Sequence, residues 1–139
     1  MVSILAFYAK TIKLRTTSRL EVINITDHVE KAVEESGVKN GLCLVHVPHA
    51  TAALVLNEDE PNLKQDLMRL VDELTGNSWM HNRIDNNAEA HLASILLGST
   101  RILPVINGKL VRGTWQEIML VELDGPRSER RVVISVIGE

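Results

Sequence analysis

The chain has 139 residues, 45% of them hydrophobic and 24% charged, with a formal net charge of −3. That composition can bury a core at the size of one domain, which excludes a disordered or collagen-like chain. Aromatic residues make up only 3%, too few for a platform that stacks nucleic-acid bases, and the charge balance gives no general nucleic-acid footprint.

The N-terminal segment lacks a basic start, and charges interrupt its apolar stretch too early for a signal peptide. No run approaches the ~20 apolar residues of a membrane span. The expected setting is therefore cytoplasmic, with neither a membrane nor a nucleic acid as partner. No repeat or Pro/Ser-rich linker interrupts residues 1–139, so the expectation is one domain.

Ser3 to Thr16 alternates loosely and reads as a strand, and Leu20 to Ile25 as a second. Asp27 and Glu30 have the spacing of a capping box, with Val29, Ala32 and Val33 as an apolar stripe and Gly37 as the stop. Gly41 to Val47 and Ala52 to Leu56 are strand-length apolar runs on either side of Pro48-His49-Ala50-Thr51. The single cysteine, Cys43, lies within the first of these runs and reads as a buried core residue. It excludes an internal disulfide and a Cys-rich zinc module.

Pro61 opens the clearest helix, with Leu63, Leu67, Leu70, Val71 and Leu74 on one face and Gly76 after it. Asn86 or Asn87 caps a third helix, with Glu89 completing a box from Asn86 and Ala88, Leu92, Ile95 and Leu96 as its apolar face. Three strand-like runs follow: Arg101 to Ile106, Gly113 to Leu123 and Arg130 to Ile137. Turns are expected at Asn107-Gly108 and at Asp124-Gly125-Pro126. Strands and helices mix without βαβ alternation, so the fold class is α+β with a largely antiparallel sheet. The last two runs are apolar on both faces at their centres, which calls for a second sheet or a neighbouring subunit.

His46 and His49 form H-x-x-H, which on an extended strand points the two rings to opposite faces. His49 ends a strand in a Pro-containing turn, His81 falls in a loop, and His91 lies in the first turn of the third helix and faces inward. If His49, His81 and His91 converge, they form an open three-histidine site of the zinc-enzyme kind, or an anion site when protonated. Otherwise they are satisfied core or loop histidines. Asn57-Glu58-Asp59-Glu60 precedes a helix and suits its positive end, with Glu58 the member expected to turn inward. Asp66 is explained by a solvated helix face. Gly113-Thr114-Trp115-Gln116 at a strand's start suits close backbone approach and a hydrogen-bonding amide. Phosphate-binding glycine loops, the serine-hydrolase elbow and H-E-x-x-H do not occur in the sequence.

Several segments in this order resemble the YjbQ-like family, whose members are often named secondary thiamine-phosphate synthase enzyme. They are His49-Ala50-Thr51-Ala52-Ala53-Leu54 running into Leu56-Asn57-Glu58, Asn87-Ala88-Glu89-Ala90-His91-Leu92, and Gly113-Thr114-Trp115-Gln116. Asp124-Gly125-Pro126-Arg127 and the terminal Ile137-Gly138-Glu139 continue the likeness. Glu117 departs from it, where members often have Gly, as do Asp59 and Glu60. The resemblance implies two packed sheets, a homotrimer, and a weak or secondary ability to join a pyrimidine-methyl diphosphate to a thiazole phosphate. In that reading His49, Glu58 and His91 are catalytic, and Asn87, Trp115, Gln116 and Arg127 bind a phosphorylated small molecule. His49, His81 and His91 would hold a divalent metal, Zn2+ in the first instance, or Mg2+ with a diphosphate substrate. Alternatives are a metal-dependent hydrolase with Glu58 as general base, and a non-catalytic trimer that binds metal or anion.

Overall fold

The computed structural model describes residues 4–139, so Ser3 of the first expected strand lies outside the described residues. The chain runs β1 (Ala6–Leu14), β2 (Glu21–Asn24), α1 (Thr26–Ser36), β3 (Gly41–His46), β4 (Ala52–Asn57) and α2 (Pro61–Thr75). A 3-10 turn (Met80–Arg83) and α3 (Ala88–Leu97) follow, then β5 (Thr100–Ile106), β6 (Lys109–Leu110), β7 (Glu117–Glu122) and β8 (Arg130–Gly138). One sheet has the order β1-β8-β3-β5-β6 and the other β2-β7-β4, and every pairing is antiparallel. This is the expected α+β fold with two packed sheets. No helix is long and apolar enough to cross a membrane among the described residues.

The alternation of strand residues sets the layers. Cys43, Val45, Leu103, Val105, Val132, Ile134 and Val136 of the larger sheet meet Leu54, Ile118 and Leu120 of the smaller one, with Val29 and Val33 of α1 in the same core. The opposite face of the smaller sheet, with Ala53, Val121 and Leu123, packs on Val71 of α2 and Ala90 and Ala93 of α3. That arrangement explains why β7 is apolar on both sides. Cys43 is fully buried, and desolvation pushes its thiol up to about 11. It is a core residue.

The far side of β8 is different, because among the described residues no element covers the outer face of the larger sheet. Phe7, Leu42, Ile102, Ile106 and Ile137 stand exposed there. Residues directly opposite one another on paired strands include Phe7 with Ile137 and Leu42 with Ile137, so part of this apolar set is contiguous.

Three local readings need correction. Helix α1 starts at Thr26, whose N–H is accepted by Asn24 Oδ1 at 2.9 Å, and Asp27 belongs to its first turn rather than forming a capping box. Helix α3 presents its small residues to the sheet: Ala88, Ala90, Ala93 and Ser94 are buried, while Ile95 and Leu96 are exposed. The reason is close approach, since Ser94 Oγ donates to the Ala52 carbonyl at 2.8 Å and a larger side chain would hold the helix off β4. Third, Gly113 to Gln116 precedes β7 as a turn, closed by Gln116 N–H to the Gly113 carbonyl at 3.0 Å.

Two turns follow from their sequences. Asn107 and Gly108 both have positive φ, as the tight hairpin between β5 and β6 requires. At Gly125 a Cβ would collide with the Ser18 carbonyl oxygen. Only glycine lets the chain between β7 and β8 pack there.

Candidate functional site

The N-terminus of α3 brings the first group of polar residues together. Asn87 occupies the cap position, but its side chain does not cap; Asn82 Oδ1 accepts the Ala88 N–H instead, at 3.1 Å. Asn87 Nδ2 donates to Asp124 Oδ2 at 2.9 Å, so its Oδ1, 3.1 Å from His81 Nε2, must accept. His81 therefore carries a proton on Nε2 and turns Nδ1 away from Asn87. Arg127 Nη2 binds Asp124 Oδ2 at 2.9 Å, and its Nε binds the Asp124 carbonyl at the same distance. The His91 ring meets His81 edge to face, with centroids 4.6 Å apart. A cation, a carboxylate, an amide and two imidazoles thus stand in one connected line.

Beneath it lies a buried ion pair. Glu122 ends β7 in one sheet and Arg130 begins β8 in the other, and both are buried. Arg130 Nε donates to Glu122 Oε1 at 2.9 Å, and its Nη2 donates to the Thr51 carbonyl at 3.0 Å. The Thr16 hydroxyl donates to Glu122 Oε1 at 2.7 Å, and the Leu123 and Asp124 N–H groups donate to Oε2. Burial pushes the Glu122 carboxyl up, but the Arg130 guanidinium, the Thr16 hydroxyl and the Asp124 N–H outweigh it and hold it below the ordinary carboxylate value. Thr16 Oγ1 also accepts the Arg127 N–H at 2.8 Å, which ties the pair directly to the turn that carries Arg127.

His49 sits beside this network. Its Nε2 accepts the backbone N–H of Arg131 at 2.9 Å, which needs the neutral ring. Desolvation, then the charges of Arg130 and Arg131, push its titration below the usual imidazole value. His46 goes elsewhere: its Nδ1 is 2.7 Å from Thr100 Oγ1 on the outer face of the larger sheet, so the two histidines of H-x-x-H do part company.

The three-histidine metal site is not formed within the chain. Among the described residues no three His, Cys, Asp or Glu side chains come together as ligands for an ion. His49 Nε2 is occupied by a backbone donor, and His81 and His91 alone fall short of the three protein ligands a catalytic zinc uses.

Glu58, Trp115 and Gln116 lie at the other end of the smaller sheet. Strand β4 pairs Ala52 with Glu122 at the histidine end and Asn57 with Glu117 at the far end, about 17 Å apart at the usual strand rise. Glu58 does not turn inward, because β4 stops at Asn57 and the Glu58 side chain is exposed. Helix α2 is capped by Glu60, which accepts the N–H groups of Asn62 and Leu63. Trp115 is 72% exposed, hence no core residue, and with Leu56, Asn57, Glu58 and Gln116 it lines an open hollow of about 380 Å³. Gln116 Oε1 is taken by the Gly113 N–H at 3.0 Å, leaving the amide NH2 to face a ligand. A second hollow of about 350 Å³ shares Leu56, Asn57 and Glu58 and continues past Lys64 and Leu67 of α2.

The family model described as UPF0047 protein YjbQ-like matches residues 10–139. The chain belongs to that family. A UPF0047 protein of Archaeoglobus fulgidus is 46% identical over 126 residues, covering 89% of this chain and 97% of its own. The UPF0047 protein YugU of Bacillus subtilis is 38% identical, covering 93% and 98%. Among solved structures, a YbjQ-like protein from Sulfolobus solfataricus superposes with a TM-score of 0.95 at 51% identity, covering 97% of this chain and 99% of its own. The Glu117 carboxylate lies 3.6 Å from Arg112 Nη1, so its charge is paired.

Sequence reasoning missed Thr51, Glu122, Asp124 and Arg130 of this YjbQ-like chain. A signal existed: Glu122 continues the inward positions Ile118 and Leu120, and Arg130 precedes the inward positions Val132 and Ile134. Opposite charges at core-facing positions on either side of one turn are the mark of a buried pair.

Proposed function

We propose that the protein is a transferase acting on phosphorylated small molecules, and that its reaction is the joining of a pyrimidine-methyl diphosphate to a thiazole phosphate. The observation that carries this reading is the line Arg127–Asp124–Asn87–His81–His91. In this reaction the bond from the methylene carbon to the diphosphate oxygen breaks, and the leaving diphosphate keeps the electron pair. The thiazole nitrogen then bonds to the methylene, which yields a thiazolium and free diphosphate. Negative charge grows on the leaving group as the bond breaks, so preorganised donors there lower the barrier. Arg127 supplies a fixed cation at the site. His81, held by Asn87, supplies an oriented imidazole whose Nδ1 takes or gives a proton, and His91 flanks it.

The test is synthesis above the uncatalysed background, measured together with calorimetric binding of inorganic diphosphate. Product formation that saturates with both substrates is the expected result. Binding without turnover would make the site an anion-binding module, and no binding at all would remove the reading.

We also propose that the protein is a homotrimer. The support is the exposed apolar face of the larger sheet, where Phe7 is 69% and Ile102 57% exposed, an arrangement that marks an association surface. Light scattering under native conditions is expected to give three times the chain mass of 15.5 kDa. A monomer mass at micromolar concentration would overturn it.

A further inference from the structure

Helices α2 and α3 leave part of the outer face of the smaller sheet open. Val55 of β4 and Met119 of β7 stand directly opposite one another there. With Leu63 and Leu67 of α2 they line the hollow of about 350 Å³ described above. That volume falls within the range of small-molecule sites. The apolar lining is aliphatic, with no aromatic ring among the described residues, so it suits a flexible chain rather than a stacked flat ring.

One cation at this hollow has no partner of opposite sign. Arg101, at the start of β5, donates from Nη1 to the Thr100 carbonyl at 3.0 Å and from Nη2 to the Leu97 carbonyl at the end of α3. Closing off α3 accounts for where the guanidinium is held. It does not neutralise the charge, and it leaves the remaining N–H groups open. Among the described residues no carboxylate pairs with Arg101. Lys64, the other cation of the lining, is taken by Asp59 at 2.6 Å. A half-buried arginine fixed by neutral carbonyls, at the rim of an apolar hollow, is a fork prepared for one carboxylate.

The charges are also ordered along the strand. Gly98, which follows Leu97, accepts the Leu54 N–H at 3.0 Å, so the anchor of Arg101 lies at the Leu54 end of the hollow. Glu58 lies four residues further on, roughly 13 Å at the usual strand rise. It is exposed and makes no ion pair among the described residues. A second acidic group reaching that end would meet a like charge.

We propose that this hollow binds an aliphatic monocarboxylate, with the carboxylate on Arg101 and the chain against Val55, Met119, Leu63 and Leu67. Glu58 selects against a second acid at the far end of the chain. The site shares no residue with the line from Arg127 to His91 and does not rest on the reaction proposed above.

The probe is octanoate, titrated into the full chain by calorimetry and followed by NMR with 13C-labelled methionine methyl groups. One octanoate per chain is expected. The Met119 methyl signal, assigned through Met119→Leu, should move while that of the exposed Met80 stays in place. Arg101→Gln should weaken binding by about tenfold or more, the loss that follows removal of a charged hydrogen-bonding partner. Leu67→Trp, which fills the hollow, should abolish binding at an unchanged melting temperature. Octanol, with the same chain and no charge, should bind more weakly than octanoate. Suberate, which adds a second carboxylate, should also bind more weakly and should recover affinity in Glu58→Gln. The proposal is overturned by absence of octanoate binding, by binding that leaves Met119 unmoved, or by equal affinity in wild type and Arg101→Gln. Octanol binding as tightly as octanoate would overturn it too, because the hollow would then recognise no anion. Suberate binding as tightly as octanoate would overturn the selection by Glu58.

Discussion

Replacing Arg130 by Ala is expected to destabilise the protein by about 3–5 kcal/mol, the usual consequence of leaving a buried charge without its partner. The carboxylate of Glu122 would keep Thr16 and two backbone donors but lose the guanidinium that offsets its burial. Urea denaturation read by circular dichroism measures the loss, and an unchanged midpoint would show that the pair does not hold the sheets. The same pair predicts a pH dependence. Because Glu122 titrates lower in the folded chain than in the unfolded one, its contribution is complete above the ordinary carboxylate value and disappears as pH falls through the lowered one. Wild type should therefore lose stability on acidification in that window. Glu122→Gln should be less stable at neutral pH and should show a flatter acid limb.

The second large effect is expected at His81. If the imidazole moves a proton or meets the developing charge, His81→Ala should lower synthesis by about 10²–10⁴-fold at an unchanged melting temperature. Asn87→Ala removes the group that fixes the His81 tautomer, together with its hydrogen bond to Asp124, but leaves the imidazole, so it should lower the rate less and shift the pH profile. Asp66→Asn, on the exposed face of α2, should leave the rate alone. Full activity in a folded His81→Ala protein would take the histidine out of the mechanism.

The fold was largely legible because most of its elements announce themselves locally. Pro61 and Gly76 bracket α2, Gly37 stops α1 in the left-handed conformation, and Asn107-Gly108 builds its hairpin. The orientation of α3 was not legible, because it depends on how near the backbone of β4 comes. Counting Leu92, Ile95 and Leu96 as the buried stripe follows hydrophobicity, whereas the contact selects for size, and Ala90, Ala93 and Ser94 are the residues that fit. The site divided in the same way. His81 and His91 were identifiable as candidates by residue type and setting, Asn87 and Arg127 as binding residues only through the family resemblance, and the structure joins all four. The segment from His49 to Glu58 looked like one motif, yet it spans a strand whose two ends face different neighbours. Sequence adjacency cannot show that separation.

The small-residue underside of α3 separates two tasks that most helices combine. An ordinary amphipathic helix is both held down and positioned by the same large apolar side chains, so any change in them moves everything the helix carries. Here the distance to β4 is fixed by alanine methyl groups, which have no rotamers, by a serine hydroxyl held in one rotamer through its bond to the Ala52 carbonyl, and by the backbone itself. Asn87 and His91 are therefore registered against Asp124 and His81 by hard contact. Ile95 and Leu96, on the other side, are free to vary with whatever touches them without disturbing that alignment.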